Sequence, residues 1–336
     1  MIKIIDKIFR PKYPPESAGA RMIKNVPIVH PDQDMAGVRK DIFKQARQFE
    51  TLNYIYVTDK DNKLVGVFSL KEIFRQPEKT RVEDLMAKEI IKVRPHTDQE
   101  KVAVLALKSN LKSLPVIDKD NVFLGVVPSD VILDILYSEN LEDILHFAGI
   151  SRNNNLIKKS IQSSPLVLTR FRLPWLIFGL AGGIFAAKIV SFFEASLQDY
   201  FILAAFIPLI VYMADAVGVQ AQTLFIRGLA LESDLNIKKY FLKEMKVSFI
   251  IALILGLLLY IISFFWSGSF IIGTVLGISL FLTVICASII AVLIPVILSK
   301  MKKDPAIGSG PFATIIRDVL SLVLYFSTAL ILLHFF

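Results

Sequence analysis

One cysteine is all the chain has, Cys286, and it lies inside an apolar run. A lone thiol closes no intrachain disulfide and builds no cysteine-based zinc site, so a disulfide scaffold and a zinc finger are both excluded. Packing as a small hydrophobe is its expected role. Charge is the second scarcity, and it is local: from Val247 to Ser299, 53 residues pass without an Asp, Glu, Lys or Arg. A bilayer crossing takes about 20 apolar residues, so this stretch is a pair of membrane spans, not the core of a soluble domain. The start, MIKIIDKIFR, has neither an apolar run nor a small-residue cleavage site, so no secretory signal is expected and the N-terminus should remain in the cytosol. A phosphate-cradling G-x-x-x-x-G-K-[ST] segment is missing, as is any Ser/His/Asp or Cys/His constellation. An enzyme is therefore not expected, and neither is direct coupling to nucleotide hydrolysis.

What is present falls into two halves. The mean hydropathy of +0.57 is too high for a soluble protein throughout, yet positions 1 to 170 carry charge every few residues. The net charge of +8 could suggest a nucleic-acid partner. Lys and Arg gathered at cytoplasmic span ends explain it better, so no nucleic acid is expected.

The first half contains a repeat. YVTDKDNKLVGVFSL (residues 56 to 70) aligns without a gap, at a shift of 59, with VIDKDNVFLGVVPS from residue 116. Each copy reads as a strand, a polar turn (Asp59 to Asn62, Asp118 to Asn121), a second strand containing Gly66 or Gly125, and a helix. Before the second copy, HTDQEKVAVLALKSN supplies a helix with a Thr97/Asp98 start signal and an acidic first turn. This repeated β-β-α unit resembles the CBS module, which works as a tandem pair and often binds adenine nucleotides. The copies run roughly from 22 to 78 and from 81 to 137. In that family a ribose-binding Asp lies in the helix after the second strand, and GVVPSDV offers Asp130 one place early, while the first copy offers Glu72. The resemblance implies ATP or another adenine nucleotide at Asp130; the alternative is that Asp130 only caps its helix.

The second half reads as five spans: 173 to 193, 200 to 226, 247 to 266, about 270 to 299, and 312 to 335. The loop after the second span carries Arg227, Lys238, Lys239, Lys243 and Lys246, and the loop after the fourth carries Lys300, Lys302 and Lys303. The alternate loops, 194 to 199 and Trp266 to Ser269, have no Lys or Arg. The expected arrangement is a multi-pass protein of the cytoplasmic membrane, with the N-terminal half in the cytosol and the C-terminus outside. Polar residues inside spans are costly and usually face a bundle interior or a water-filled path. Thr314, Asp318, Ser321, Tyr325 and Thr328 fall on one face of the fifth span, and Asp215, Gly218 and Gln222 on one face of the second. These residues are candidates for lining an ion path. Two alternatives remain open: Asp318 could pair with adjacent Arg317, and Gln222 could bond a neighbouring helix.

At this point the chain resembles the MgtE family of magnesium channels. ADAVGVQAQTLFIRGLA retains Gly218, Gln220, Thr223, Leu224, Ile226, Arg227, Leu229 and Ala230 of the family's second-helix signature. FLKEM (241 to 245), IPVIL (294 to 298), DPA (304 to 306) and PFATIIRDV are also family-like, as is GVVPSDVILDIL followed by SENLED. The resemblance implies a homodimer in the lipid bilayer, a pore lined by the second and fifth membrane helices, and Asp318 in the place of the family's pore carboxylate. It implies an α+β tandem CBS domain (22 to 140) after an N-terminal segment (1 to 21), a connecting helix (141 to 171) and an all-α five-helix pore domain (172 to 336). Three departures stand out. About 20 residues precede the first CBS copy where the family has a further soluble domain, Ala214-Asp215-Ala216 replaces a Gly-Gly-Asn segment, and the connector SRNNNLIKKS is basic.

Magnesium is small, dehydrates reluctantly and is held through waters by one or two carboxylates, which suits Asp318, with Asp215 and Thr314 as further candidate ligands. A softer metal would call for His or Cys. Family members close when cytosolic magnesium bridges acids around the CBS pair, so Asp134, Glu139, Glu142 and Asp143 are candidate regulatory ligands. The membrane potential, about 4.6 kcal/mol for a divalent ion across 100 mV, suffices for entry. The rival readings are a sodium- or proton-coupled exchanger and a non-transporting membrane sensor.

Overall fold

The structure is a computed structural model of the 336-residue chain, described for residues 13–150, 164–194, 200–232, 235–301, 304–308 and 310–335. The basic connector and the loop 195–199 thus lie largely or wholly outside the described residues. The chain divides into two compact units, Met1–Asn140 and Leu141–Phe336.

The first unit holds two small sheets. Strands β1 (Ile28–Val29), β2 (Tyr54–Thr58) and β3 (Leu64–Ser69) form one, with β1 parallel to β2 and β2 antiparallel to β3. Strands β4 (Ser113–Ile117) and β5 (Phe123–Pro128) form the other. Short helices α1 (Ala18–Arg21), α3 (Glu72–Arg75) and α4 (Val82–Leu85) accompany α2 (Met35–Gln45) and α5 (Gln99–Lys108). The expected start signal of α5 holds: the Asp98 carboxylate accepts from the amides of Glu100 and Lys101, satisfying donors that a first turn leaves open.

The sequence repeat becomes a structural one at the two hairpin turns. Asp59 accepts from the amides of Asp61 and Lys63, and Asp118 from those of Asp120 and Val122. Asn62 and Asn121 take φ of 59° and 68°, a left-handed conformation that Asn tolerates better than most residues. The turns then bond each other. Leu64 donates to the Asn121 carbonyl at 3.1 Å, and Phe123 donates to the Asn62 carbonyl at 2.9 Å. Around them Val26, Tyr56, Leu64, Ile117, Phe123 and Val126 form a shared core, with Tyr56 stacked on Phe123 and its hydroxyl 2.8 Å from that of Ser113. The copies also keep cores of their own: Ile55, Val57 and Phe68 in the first, Val102, Leu114 and Val127 in the second.

Helix α6 (Ser129–Phe147) follows β5. The second unit is a bundle of α7 (Pro165–Glu194), α8 (Phe201–Leu231), α9 (Ile237–Ser267), α10 (Phe270–Lys300) and α11 (Pro311–Phe335). Each is long and apolar enough to cross a membrane. The α9–α10 hairpin turns where the sequence placed it: Gly268 caps α9 at φ 66°, and the Ser269 hydroxyl accepts from the amide of Ile272. A linked pair of α+β repeats followed by an all-α run of five apolar helices is therefore the architecture. In the bundle core, Leu203, Ile210, Val275, Leu276, Val284, Tyr325 and Ala329 are fully buried.

Candidate functional site

Three places gather polar groups. The first lies within the bundle, between α8 and α11. Residues 215, 218 and 222 share one face of α8, and the structure turns that face toward Arg317. The Arg317 side chain is 1% exposed. Its Nε donates to Asp215 Oδ1 at 2.9 Å and its Nη2 reaches the same oxygen at 2.7 Å. Nη1 donates to Gln222 Oε1 at 2.7 Å and Nη2 to the Thr314 hydroxyl at 3.3 Å. Gly218 makes the room, since a Cβ there would stand 2.5 Å from Arg317 Cδ. A buried guanidinium without partners costs several kcal/mol, so such a set of acceptors is what burial requires.

Sequence reasoning placed Asp215 and Thr314 among metal ligands, and Gly218 and Gln222 along a path. In this chain all four surround Arg317. Their polar atoms answer a charge carried by the protein itself. The role of Arg317 went unread, although an Asp in one apolar span and an Arg in another was a signal for it.

Asp318, one residue on, projects about 100° further round α11. It is half-buried, and among the described residues it makes no side-chain hydrogen bond or ion pair. Neighbours in sequence on a helix do not face each other, and Arg317 turns to Asp215 rather than to Asp318. Ser321, Tyr325 and Thr328 point into the bundle's own interior, at 3%, 0% and 7% exposed. The Tyr325 hydroxyl donates to the Leu203 carbonyl at 2.7 Å. The stripe read from the sequence is thus split: Ser321, Tyr325 and Thr328 are enclosed, with Tyr325 bonding α11 to α8, while Asp318 keeps an uncommitted carboxylate.

The second place is at the end of α6. His146 Nδ1 lies 3.1 Å from Asp304 Oδ2, and Nε2 lies 3.9 Å from Glu142 Oε1. One ligand atom from each of the three residues falls within 4.8 Å of the others, close enough to hold a cation. The Asp304 hydrogen bond raises the pKa of His146, opposed in part by burial. Burial, followed by the nearby Asp304 charge, raises that of Asp143. The four acids read as regulatory ligands therefore have different neighbours. Glu142 and Asp143 belong with His146 and Asp304. Asp134 pairs with Arg21 at 3.6 Å, and Glu139 accepts from the side-chain amide of Gln99. Asp304 and His146 were missing from the sequence-level set, being 158 positions apart.

The third is a cavity of about 450 Å³ in the first unit, lined by Ala20, Arg21, Met22, Ile23, Asp130, Val131 and Asp134. Asp130 is exposed there, at the start of α6, where its charge also suits a helix N-terminus.

Comparison with known proteins fits these two units. The CBS domain family matches residues 18–79 and 82–138, and the family described as divalent cation transporter, MgtE, matches residues 207–328. The magnesium transporter MgtE of Bacillus subtilis is 34% identical over 328 residues, covering 96% of this chain and 71% of its own. That of Thermus thermophilus is 33% identical over 326 residues, with the same coverage. A crystal structure of the soluble part of a magnesium transporter aligns at 33% identity and a TM-score of 0.38, over 38% of this chain and 50% of that one. With a third of its residues identical to such transporters along nearly its whole length, soluble repeat and membrane helices alike, the chain belongs to the MgtE family.

Proposed function

We propose that this chain carries magnesium across a membrane through its five-helix unit, with Asp318 as the carboxylate the ion meets and the CBS pair adjusting the flux. The observation that carries this reading is the contrast between neighbours on α11: Arg317 is fully engaged, whereas Asp318 is half-buried and uncommitted. A free carboxylate in an apolar span is expensive unless it serves a cation or a water-filled path. Hydrated magnesium fits it, because one or two carboxylates acting through water suffice. Two copies of the chain would bring two such groups to one axis. This is the reason to propose a homodimer.

The Lys and Arg distribution supports the first unit in the cytosol and the C-terminus outside. The domain boundaries proposed are 22–140 for the CBS pair, 141–171 for the connection and 172–336 for the membrane domain. In the cytosol, Glu142 and Asp143, joined by His146 and Asp304, are the proposed place where the ion feeds back on its own entry. Asp134 and Glu139 stand nearer Arg21 and Gln99 and are proposed to act only after leaving them. The cavity at Asp130 is proposed for ATP or another adenine nucleotide, since it offers a carboxylate for a ribose and Arg21 for a phosphate.

The decisive measurement is magnesium uptake into liposomes containing the purified protein. Asp318→Asn keeps size and removes charge, so uptake should fall at least about a hundredfold, equivalent to roughly 2.7 kcal/mol, in a protein that still folds. An Asn variant that conducts normally would end the assignment. Imposed sodium or proton gradients in the same liposomes separate uniport from exchange. For topology, a cysteine at Ser267 should react with an impermeant thiol reagent from outside, and one at Lys300 only from the cytosol. The opposite labelling pattern would invert the arrangement.

A further inference from the structure

We infer that Arg317, through its pairing with Asp215, sets how tightly Asp318 holds the travelling cation. The inference rests on the reading of Asp318 given above. A positive charge one residue from the ion-binding carboxylate would repel a divalent ion if left bare. At about 8 Å, Coulomb's law gives one unit charge a roughly sixfold effect on the affinity for a divalent ion in water and about a thousandfold effect at an effective dielectric of about 20, so a water-lined path sets the effect on the order of tenfold. The structure removes that penalty by geometry. Both Nε and Nη2 of Arg317 lie on one Asp215 oxygen, at 2.9 and 2.7 Å. Gln222 and Thr314 take remaining donors, and Gly218 leaves the space the side chain crosses.

The pair is neutral as a whole, so the charge offered to the ion is that of Asp318 alone. It also ties α8 to α11 beside that carboxylate. Removing either member should then disturb the ion in opposite senses. Without Asp215, the guanidinium stays positive and repels. Without Arg317, a second carboxylate joins the first, so the ion binds more tightly and leaves more slowly. Arg317 is in this sense a positioning residue that acts through Asp318 and never needs to touch the ion.

The test compares magnesium uptake in liposomes for Asp215→Asn, Arg317→Gln and the double variant. Asp215→Asn should raise KM on the order of tenfold, and Arg317→Gln should lower both KM and maximal flux. The double variant, neutral again, should return KM to within about threefold of the original. A purely structural clamp would instead lower the amount of folded protein in both single variants and leave KM unchanged, which would overturn the inference. Should a single variant fail to accumulate, Asp215→Ser or Arg317→Met removes the same charge with a different side chain. A KM shift of about threefold or more supports the proposal, and an unchanged KM overturns it. Asp318→Asn is measured alongside: if it conducts normally, the reading of Asp318 has failed, whereas a dead Asp318→Asn with unmoved KM in the others means that only the role of Arg317 has failed.

Discussion

Both units bury apolar residues, but the bundle also encloses more polar ones and leaves large apolar side chains exposed. In the CBS pair, Ile55, Val57, Val102, Leu114 and Val127 are sealed inside, and the described buried polar residues are only Ser17, Thr58, Gln99 and Ser113. In the helix bundle, Arg317, Gln222, Ser263, Thr283, Ser288 and Ser321 are inside, while Leu176, Leu180, Ile262 and Phe265 are outside. The same physical chemistry produces both. Water rewards covering apolar area, whereas lipid tails give no such reward and penalise every unsatisfied polar group. Several polar atoms of the bundle accordingly find internal partners: Ser263, Thr283 and Ser288 donate to carbonyls of their own helices, and Tyr325 reaches across to Leu203.

That contrast can be broken most forcefully with a charge. Leu257→Asp, on a mid-span bundle residue 57% exposed, should cost about 2.5–3.5 kcal/mol of membrane insertion. Phe43→Asp, on a soluble-unit residue 71% exposed, should stay within about 0.5 kcal/mol. Membrane-fraction yield and thermal unfolding read the two, and equal effects would mean that Leu257 does not face lipid. A smaller effect tests close packing in the bundle. A Cβ at Gly256 would meet the Gly277 carbonyl oxygen at 2.8 Å. Gly256→Val should therefore force α9 off α10 and cost roughly 1–3 kcal/mol, seen as a lower unfolding temperature in detergent. The smallest change belongs to the soluble repeat. Asn62→Ala and Asn121→Ala should each cost about 1 kcal/mol, because alanine resists the left-handed turn. Denaturant unfolding of the full chain should show the two costs to be similar if the turns are equivalent.

Much of this was legible in the sequence. The 59-residue shift marked the two copies, and Asp59/Asp118 and Asn62/Asn121 already spelled out their turns, because turn chemistry is local. The uncharged 53-residue stretch with Ser267-Gly268 near its middle declared the α9–α10 hairpin, since span length is set by bilayer thickness. Asp318 stood out because a carboxylate in an apolar helix has few inexpensive explanations.

Tertiary structure alone decided which polar groups answer which charges. Helical spacing put Asp215, Gly218 and Gln222 on one face of α8, but spacing cannot say whether that face meets a cation from solution or one from the protein. It meets Arg317, 95 positions away from Gln222 and 102 from Asp215. In the same way, Ser321, Tyr325 and Thr328 share a stripe with Asp318, yet α11 packs so that they are enclosed and Asp318 is not. His146 and Asp304 meet across 158 positions. Periodicity along one helix determines which residues share a face. What that face meets depends on the rotation and neighbours of the helix, which are set by packing contacts distant in sequence.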